Sequence, residues 1–304
     1  VRLSGAAPLR VVAAFDIGSN SIKMTVARQT PDGGVVEIAS LAETTRLGAG
    51  IEETGRLSEE SIAASLDALR SFVTTARSFG ATTFLGVATE ATRIAANGPA
   101  FLQTLRDELG LQVETISGDR EAAMTFAGIP PGLRDRGVVL AADVGGASTE
   151  LIAARDGTIE QAVSYQIGSG RYTDRFVAHD PPRAAELTTM RTAATQITRD
   201  NRWPEQCDKL IVLGGTGEFL KRLLGHEWPA TPGELETQLD RLTTVRSTDL
   251  APMIGASEMR ARVLPAGVAI VAALSDASSP TEIHGAASGI RMGLILEAFR
   301  EDAS

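Results

Sequence analysis

One short pattern occurs twice in this chain, 127 positions apart. VVAAFDIGSNSIKMTVA occupies 11–27 and VVLAADVGGASTELIAA occupies 138–154. In each, an apolar run enters Asp-x-Gly, passes through small residues and leaves as a second apolar run. That reads as a buried strand, a tight turn and a returning strand. A turn without large side chains lets backbone N–H groups converge on an anion, and its Asp can orient a metal or a water. Two such hairpins at matching places predict a duplicated α/β domain with a phosphate site in the cleft between the copies.

The size of the chain permits that duplication: 304 residues, 43% of them hydrophobic, suffice for two domains of ordinary size. No apolar run approaches the ~20 residues of a membrane span. The opening VRLSGAAPLR has basic residues but no long apolar core, so it does not read as a signal peptide. The single cysteine, Cys207, excludes an internal disulfide and suits a reducing cytoplasm. A net charge of −9 argues against a general nucleic-acid binder. A polyanionic substrate then needs a local basic patch or metal ions to offset the overall field.

Between and after the hairpins, strands alternate with helices. The periodicity predicts a strand over 35–41, a helix from Ser58 to Gly80, a strand over 83–88 and a helix from Asn97 to Gly110. A strand over 112–116 and a helix over 120–127 follow. Pro130-Pro131-Gly132 marks the domain boundary. The second half predicts strands over 159–166, 209–213 and 281–284. Its helices fall over 183–199, 218–225, 232–243, 247–254, 263–275 and 288–300. The expected domains are therefore 1–128 and 129–304, with the last helix, 288–304, free to return to the first.

Five segments carry a specific resemblance: DIGSNS at 16–21, ATEATRIAAN at 88–97, ISGDREA at 116–122, DVGGASTEL at 143–151 and GIRMGL at 289–294. The two hairpins resemble the phosphate loops of the acetate and sugar kinase/Hsp70/actin superfamily. The five together resemble its exopolyphosphatase/guanosine pentaphosphate phosphohydrolase family, over about 11–298. The resemblance implies two duplicated actin-like (ribonuclease H-like) domains with a ligand cleft between them. It also implies Mg²⁺ or another divalent cation, and a homodimer. Longer family members carry an extra C-terminal helical domain, so this chain resembles a short, two-domain member.

Read as chemistry, Gly18, Ser19, Asn20 and Ser21 offer amides and hydroxyls to one phosphate, and Gly145, Gly146, Ala147 and Ser148 to another. Phosphoryl transfer asks a protein mainly for positioning and charge neutralisation, which two such nests supply. Glu121 resembles the family's catalytic glutamate, which activates the attacking water. Asp119 as N-cap places Glu121 in the first helical turn, where the dipole favours its ionised form. Asp143 and Glu150 resemble the family's metal-associated acids, while Asp16 either orders its own turn or touches metal. Arg93 lies in a segment the family uses for phosphate, and its fork suits a pair of phosphate oxygens. Lys23, one of only three lysines, stands beside the first loop. Gly168-Ser169-Gly170-Arg171 resembles a further phosphate-contacting turn. Gly214-Gly215-Thr216-Gly217 is either a nucleotide-contacting turn or a plain strand-to-helix connection.

Two departures from the family pattern stand out. Ala147 replaces a loop glycine, and Arg120 replaces an acid beside Glu121. Arg120 either binds substrate or pairs with Glu121 and dampens it. The sequence therefore reads first as an exopolyphosphatase that releases terminal orthophosphate from inorganic polyphosphate. Hydrolysis of guanosine pentaphosphate is the alternative within that class. A superfamily phosphotransferase and a non-catalytic phosphate or alarmone sensor are the other classes.

Overall fold

The computed structural model describes residues 10–146, 148–199, 202–286 and 289–301, apart from the side chains of Glu52, Ile197 and Glu301. The chain divides into two compact units, Val1–Gly128 with Ile290–Ser304, and Ile129–Gly289. The last helix, Ile290–Glu301, thus belongs with the first unit although its numbering continues the second.

The first unit is built on β1 (Val11–Ile17), β2 (Ile22–Gln29), β3 (Val35–Glu43), β4 (Thr83–Ala88) and β5 (Gln112–Thr115), in the order β3-β2-β1-β4-β5. β1–β3 form an antiparallel meander, and β4 and β5 join parallel to β1 and to each other. The second unit repeats this with β6 (Val138–Val144), β7 (Thr149–Arg155), β8 (Thr158–Tyr165), β9 (Lys209–Leu213) and β10 (Glu282–Ala286), in the order β10-β9-β6-β7-β8. The repetition extends to detail. β2 and β3 slip register between Val26 and Ala27, and β7 and β8 slip at Ala153/Ala154, the same position 127 residues later.

β1 is apolar on both faces because helices cover both. Ala13, Phe15 and Ile17 join a core with Leu69, Phe72 and Val73 of the helix Glu59–Ser78 and Phe101 and Leu105 of the helix Gly98–Leu109. Val12 and Ala14 face the other way, onto Ile295, Ala298 and Phe299 of the last helix. The alternation of period two places Asp16 on that second face, at the strand's end. In the second unit, Leu140, Ala142 and Val144 of β6 share a core with the helices Ala184–Thr198 and Glu258–Ser278.

Two local readings of the sequence are corrected. The helix expected from 218 begins at Gly214, because Gly217 lets its first turn press on β9: a Cβ there would lie 2.4 Å from the Val212 carbonyl oxygen. The helix expected over 263–275 runs over Glu258–Ser278, capped by the Ser257 hydroxyl, with Pro265 inside it. This helix is long and apolar enough to cross a membrane by length and composition, but 78% of its apolar window is buried in the unit. At the boundary read from Pro130-Pro131-Gly132, the chain makes a short helix, Pro131–Arg134.

Candidate phosphate and metal site

The loop between β1 and β2 is closed by a hydrogen bond from the Gly18 amide to the Ser21 carbonyl, 3.1 Å. A Cβ at Gly18 would sit 3.0 Å from that same oxygen, so a larger residue there would press on the carbonyl that closes the turn. The Ser19 and Asn20 carbonyls are held from outside the hairpin, by the Gly48 amide (2.8 Å) and the Arg46 amide (3.0 Å). With the carbonyls engaged there, the Ser19 and Asn20 amides have no acceptor among the described residues. That is the arrangement of an anion nest.

The loop between β6 and β7 follows the same plan. The Gly145 amide bonds the Ser148 carbonyl at 2.9 Å, and a Cβ at Gly145 would lie 3.1 Å from it. The Gly145 and Gly146 carbonyls accept from the Ser169 amide (2.8 Å) and the Arg171 amide (2.9 Å). The segment Gly168–Arg171 therefore braces the second loop from behind, as 46–48 braces the first. Gly170 packs against the Gly146 carbonyl so closely that a Cβ would approach to 3.1 Å. Ala147 lies outside the described residues.

The two hairpins differ in charge. In the first, Asp16 stands directly opposite Lys23; in the second, Asp143 stands directly opposite Glu150. Residues opposed across an antiparallel pair share a face, and like charges there repel unless something offsets them. Ser164 donates to Glu150 Oε1 at 2.8 Å and fixes that carboxylate on the sheet. Asp143 is flanked by glycines: a Cβ at Gly214 would lie 2.6 Å from Oδ1, and one at Gly289 3.7 Å from Oδ2. The described residues contain no cluster of three acidic, His or Cys ligands. Two hard carboxylates suit Mg²⁺, which keeps several waters and is bound through one or two carboxylates plus substrate phosphates.

Glu121 lies half-buried near the start of the helix Gly118–Ala127. The N-cap is Ser117, not Asp119: the Ser117 hydroxyl accepts from the Arg120 amide at 3.2 Å, and its carbonyl from the Glu121 amide at 2.9 Å. Ser117 has the extended backbone a cap requires, whereas Asp119 is already helical. Glu121 still falls in the first turn. Arg93, in the short helix Glu90–Ile94, donates to the Ile116 carbonyl at 2.7 Å, so part of its fork tethers the residue before this cap. Arg120 pairs with Glu297 Oε2 at 2.7 Å, on the last helix.

The first unit thus brings together Asp16, Lys23 and its loop, and separately Arg93 with the helix of Glu121. The second gathers Asp143, Glu150, its loop and the Gly214 turn. Sequence reading passed over two arginines. Arg46 adopts φ +50° to reach Asn20, which no local pattern announces. Arg260 lays its guanidinium about 3.4 Å from the Cβ position of Gly215 and over the Phe219 ring; burial pushes its pKa down. A cavity of about 440 Å³ in the second unit, lined by Leu140, Leu151, Trp203 and Leu274, contains none of the candidate residues.

A five-stranded mixed sheet repeated with its loop chemistry defines a two-domain, actin-like α/β protein. The model of the Ppx/GppA phosphatase family matches residues 25–301, and the chain belongs to that family. A guanosine-5'-triphosphate,3'-diphosphate pyrophosphatase from Vibrio parahaemolyticus is 28% identical over 98% of this chain and 61% of its own length. Its counterpart from Vibrio atlanticus is 28% identical over 95% and 59%. The chain therefore spans about 60% of the length of these curated relatives. The crystal structure of the Aquifex aeolicus Ppx/GppA family member superposes with a TM-score of 0.80 at 26% identity, covering 98% of this chain and 100% of that one. An exopolyphosphatase from Cytophaga hutchinsonii, 21% identical, shares the fold with a TM-score of 0.79 over 96% of this chain and 98% of its own.

Proposed function

We propose that this chain is a metal-dependent phosphohydrolase acting in the cytoplasm, releasing terminal orthophosphate from inorganic polyphosphate. The observation that carries the reading is the charge inversion between the duplicated hairpins. Lys23 stands opposite Asp16, while Glu150 stands opposite Asp143, so the second hairpin alone sets two carboxylates across from each other, the pair that would suit a divalent cation. Asp143 and Glu150 would hold Mg²⁺, which supplies charge neutralisation for phosphate oxygens. The Ser19, Asn20 and Gly146 amides bind phosphate oxygens, and Lys23 and the free edge of the Arg93 fork add positive charge. Glu121 orients the attacking water and takes its proton.

The two Vibrio relatives favour a second substrate, guanosine pentaphosphate, whose 5′ end presents the same terminal phosphoanhydride. Phosphate release from a polyphosphate length series and from guanosine pentaphosphate, with and without Mg²⁺, separates the two. Glu121→Gln should bind polyphosphate like the parent and turn it over at least ~10²-fold more slowly. Unchanged turnover in that variant would remove Glu121 from the mechanism. Tight binding without turnover in the parent would establish a sensor instead.

A further inference from the structure

The GIRMGL segment, 289–294, opens the last helix, and nothing in the reaction above uses it. Arg291 reaches one way. Its Nη1 bonds the Met24 carbonyl (3.1 Å), the Thr25 hydroxyl (2.8 Å) and the Ser40 hydroxyl (3.1 Å), fastening the helix to the sheet whose first two strands carry the Gly18–Ser21 loop. Toward the helix's far end, Arg10 of the same sheet's approach donates to the Ala298 carbonyl at 2.9 Å.

Gly293, two residues on and so on the other side of the helix, presses against the helix of Glu121. A Cβ there would lie 2.0 Å from the Met124 carbonyl oxygen and 2.8 Å from its carbon. Four residues later, Glu297 takes the Arg120 guanidinium at 2.7 Å. Gly293 and Glu297 are one turn apart on one face, as are Arg120 and Met124 on theirs. The two rows meet in antiparallel register, 293 on 124 and 297 on 120. Glu121 lies between the two contact points.

We propose that the last helix is the ruler that sets Glu121 against the first phosphate loop, with Gly293 and Glu297 as positioning residues. Glu297 also fixes Arg120, the residue that departs from the family pattern, by engaging its guanidinium on the outer helix. Backbone contact at Gly293 fixes how near the two helices lie, and the ion pair fixes their rotation. The inference rests on Glu121 as the group that activates water.

Three variants of the full chain test it: Gly293→Ala, Glu297→Ala and the charge swap Arg120→Glu with Glu297→Arg. Phosphate release from polyphosphate gives kcat and KM, equilibrium dialysis gives polyphosphate affinity, and hydrogen exchange reads the amides of 118–127. Gly293→Ala should lower kcat at least 10-fold with KM and affinity within twofold, and should speed exchange in 118–127. Glu297→Ala should lower kcat about 3-fold in the same pattern, and the swap should restore it. Should Gly293→Ala fail to fold, Glu297→Ala and the swap decide alone. Normal kcat in folded Gly293→Ala, or a Glu297→Ala loss that the swap leaves unrepaired, overturns the proposal. If Glu121→Gln retains full turnover, the parent reading has failed. If Glu121→Gln is inactive while these variants are normal, only the positioning role has failed.

Discussion

The glycine beside Asp143 offers a controlled test of the proposed metal site. Gly214 begins the helix Gly214–Leu224 with φ +68°, and Gly225 caps its other end with φ +77°. Alanine at either position pays the left-handed backbone penalty of about 1–2 kcal/mol. Each substitution should therefore lower the melting temperature by roughly 2–8 °C. Only one of them meets a neighbour. A Cβ at 225 finds nothing within 4 Å, whereas at 214 it lies 2.6 Å from Asp143 Oδ1 and must open to ordinary contact at 3.4–4 Å. The carboxylate is the softer partner and has to retreat by a large fraction of an ångström. Displacing a group that orients a metal ligand costs about 10–100-fold in metal affinity, and a misplacement near 1 Å costs about 10²-fold in rate. Gly214→Ala should thus lose Mn²⁺ affinity, followed by electron paramagnetic resonance, and phosphate release by about those factors. Gly225→Ala should lose neither. Equal losses in the two variants, or unchanged Mn²⁺ affinity in Gly214→Ala, would refute Asp143 as a metal-holding carboxylate.

Copying the first hairpin's charge onto the second, Glu150→Lys should abolish Mn²⁺ binding with the sheet intact by circular dichroism; Mn²⁺ retained at the parent affinity would contradict the cation assignment. Arg291→Ala removes donations to three oxygens, one of them the buried Thr25 hydroxyl. It should destabilise the first unit by about 1.5–3 kcal/mol, read in urea denaturation. Burial raises the Glu186 pKa, but the Arg183 amide, the His179 ring and the Ala178 amide donate to it and together hold it down to about 2. A depressed folded pKa stabilises above the unfolded value near 4.5, and that stability is lost as pH falls toward 2. Glu186→Gln should therefore cost about 2–3 kcal/mol at pH 7 and little at pH 2.5, so a gap independent of pH would exclude the linkage.

Much of this architecture was legible because it is written in short-range patterns. Both hairpins, the Ser58 cap with Glu59 and Glu60 behind it, and the stop at Gly110 follow from residues within a few positions of one another. What escaped was long-range. Asp119 is as good a capping type as Ser117, and only the backbone course out of β5 decides between them. Sequence reading set Arg120 either on substrate or on its neighbour Glu121, while its partner in the structure, Glu297, lies 177 residues away. The Gly214–Gly217 run reads as a loop until β9 is seen to press on Gly217, which makes the segment the first turn of a helix. The charge inversion shows the same limit from the other side. Lys23 and Glu150 are plainly different in sequence, but their equivalence depends on register. With Asp16 opposite Lys23 and Asp143 opposite Glu150, the substitution becomes a difference between a turn that opposes unlike charges and one that opposes two carboxylates. A duplicated fold can keep its backbone course, down to the bulge at 26 and 153, while one inverted side chain leaves the two copies with opposite charge at equivalent positions.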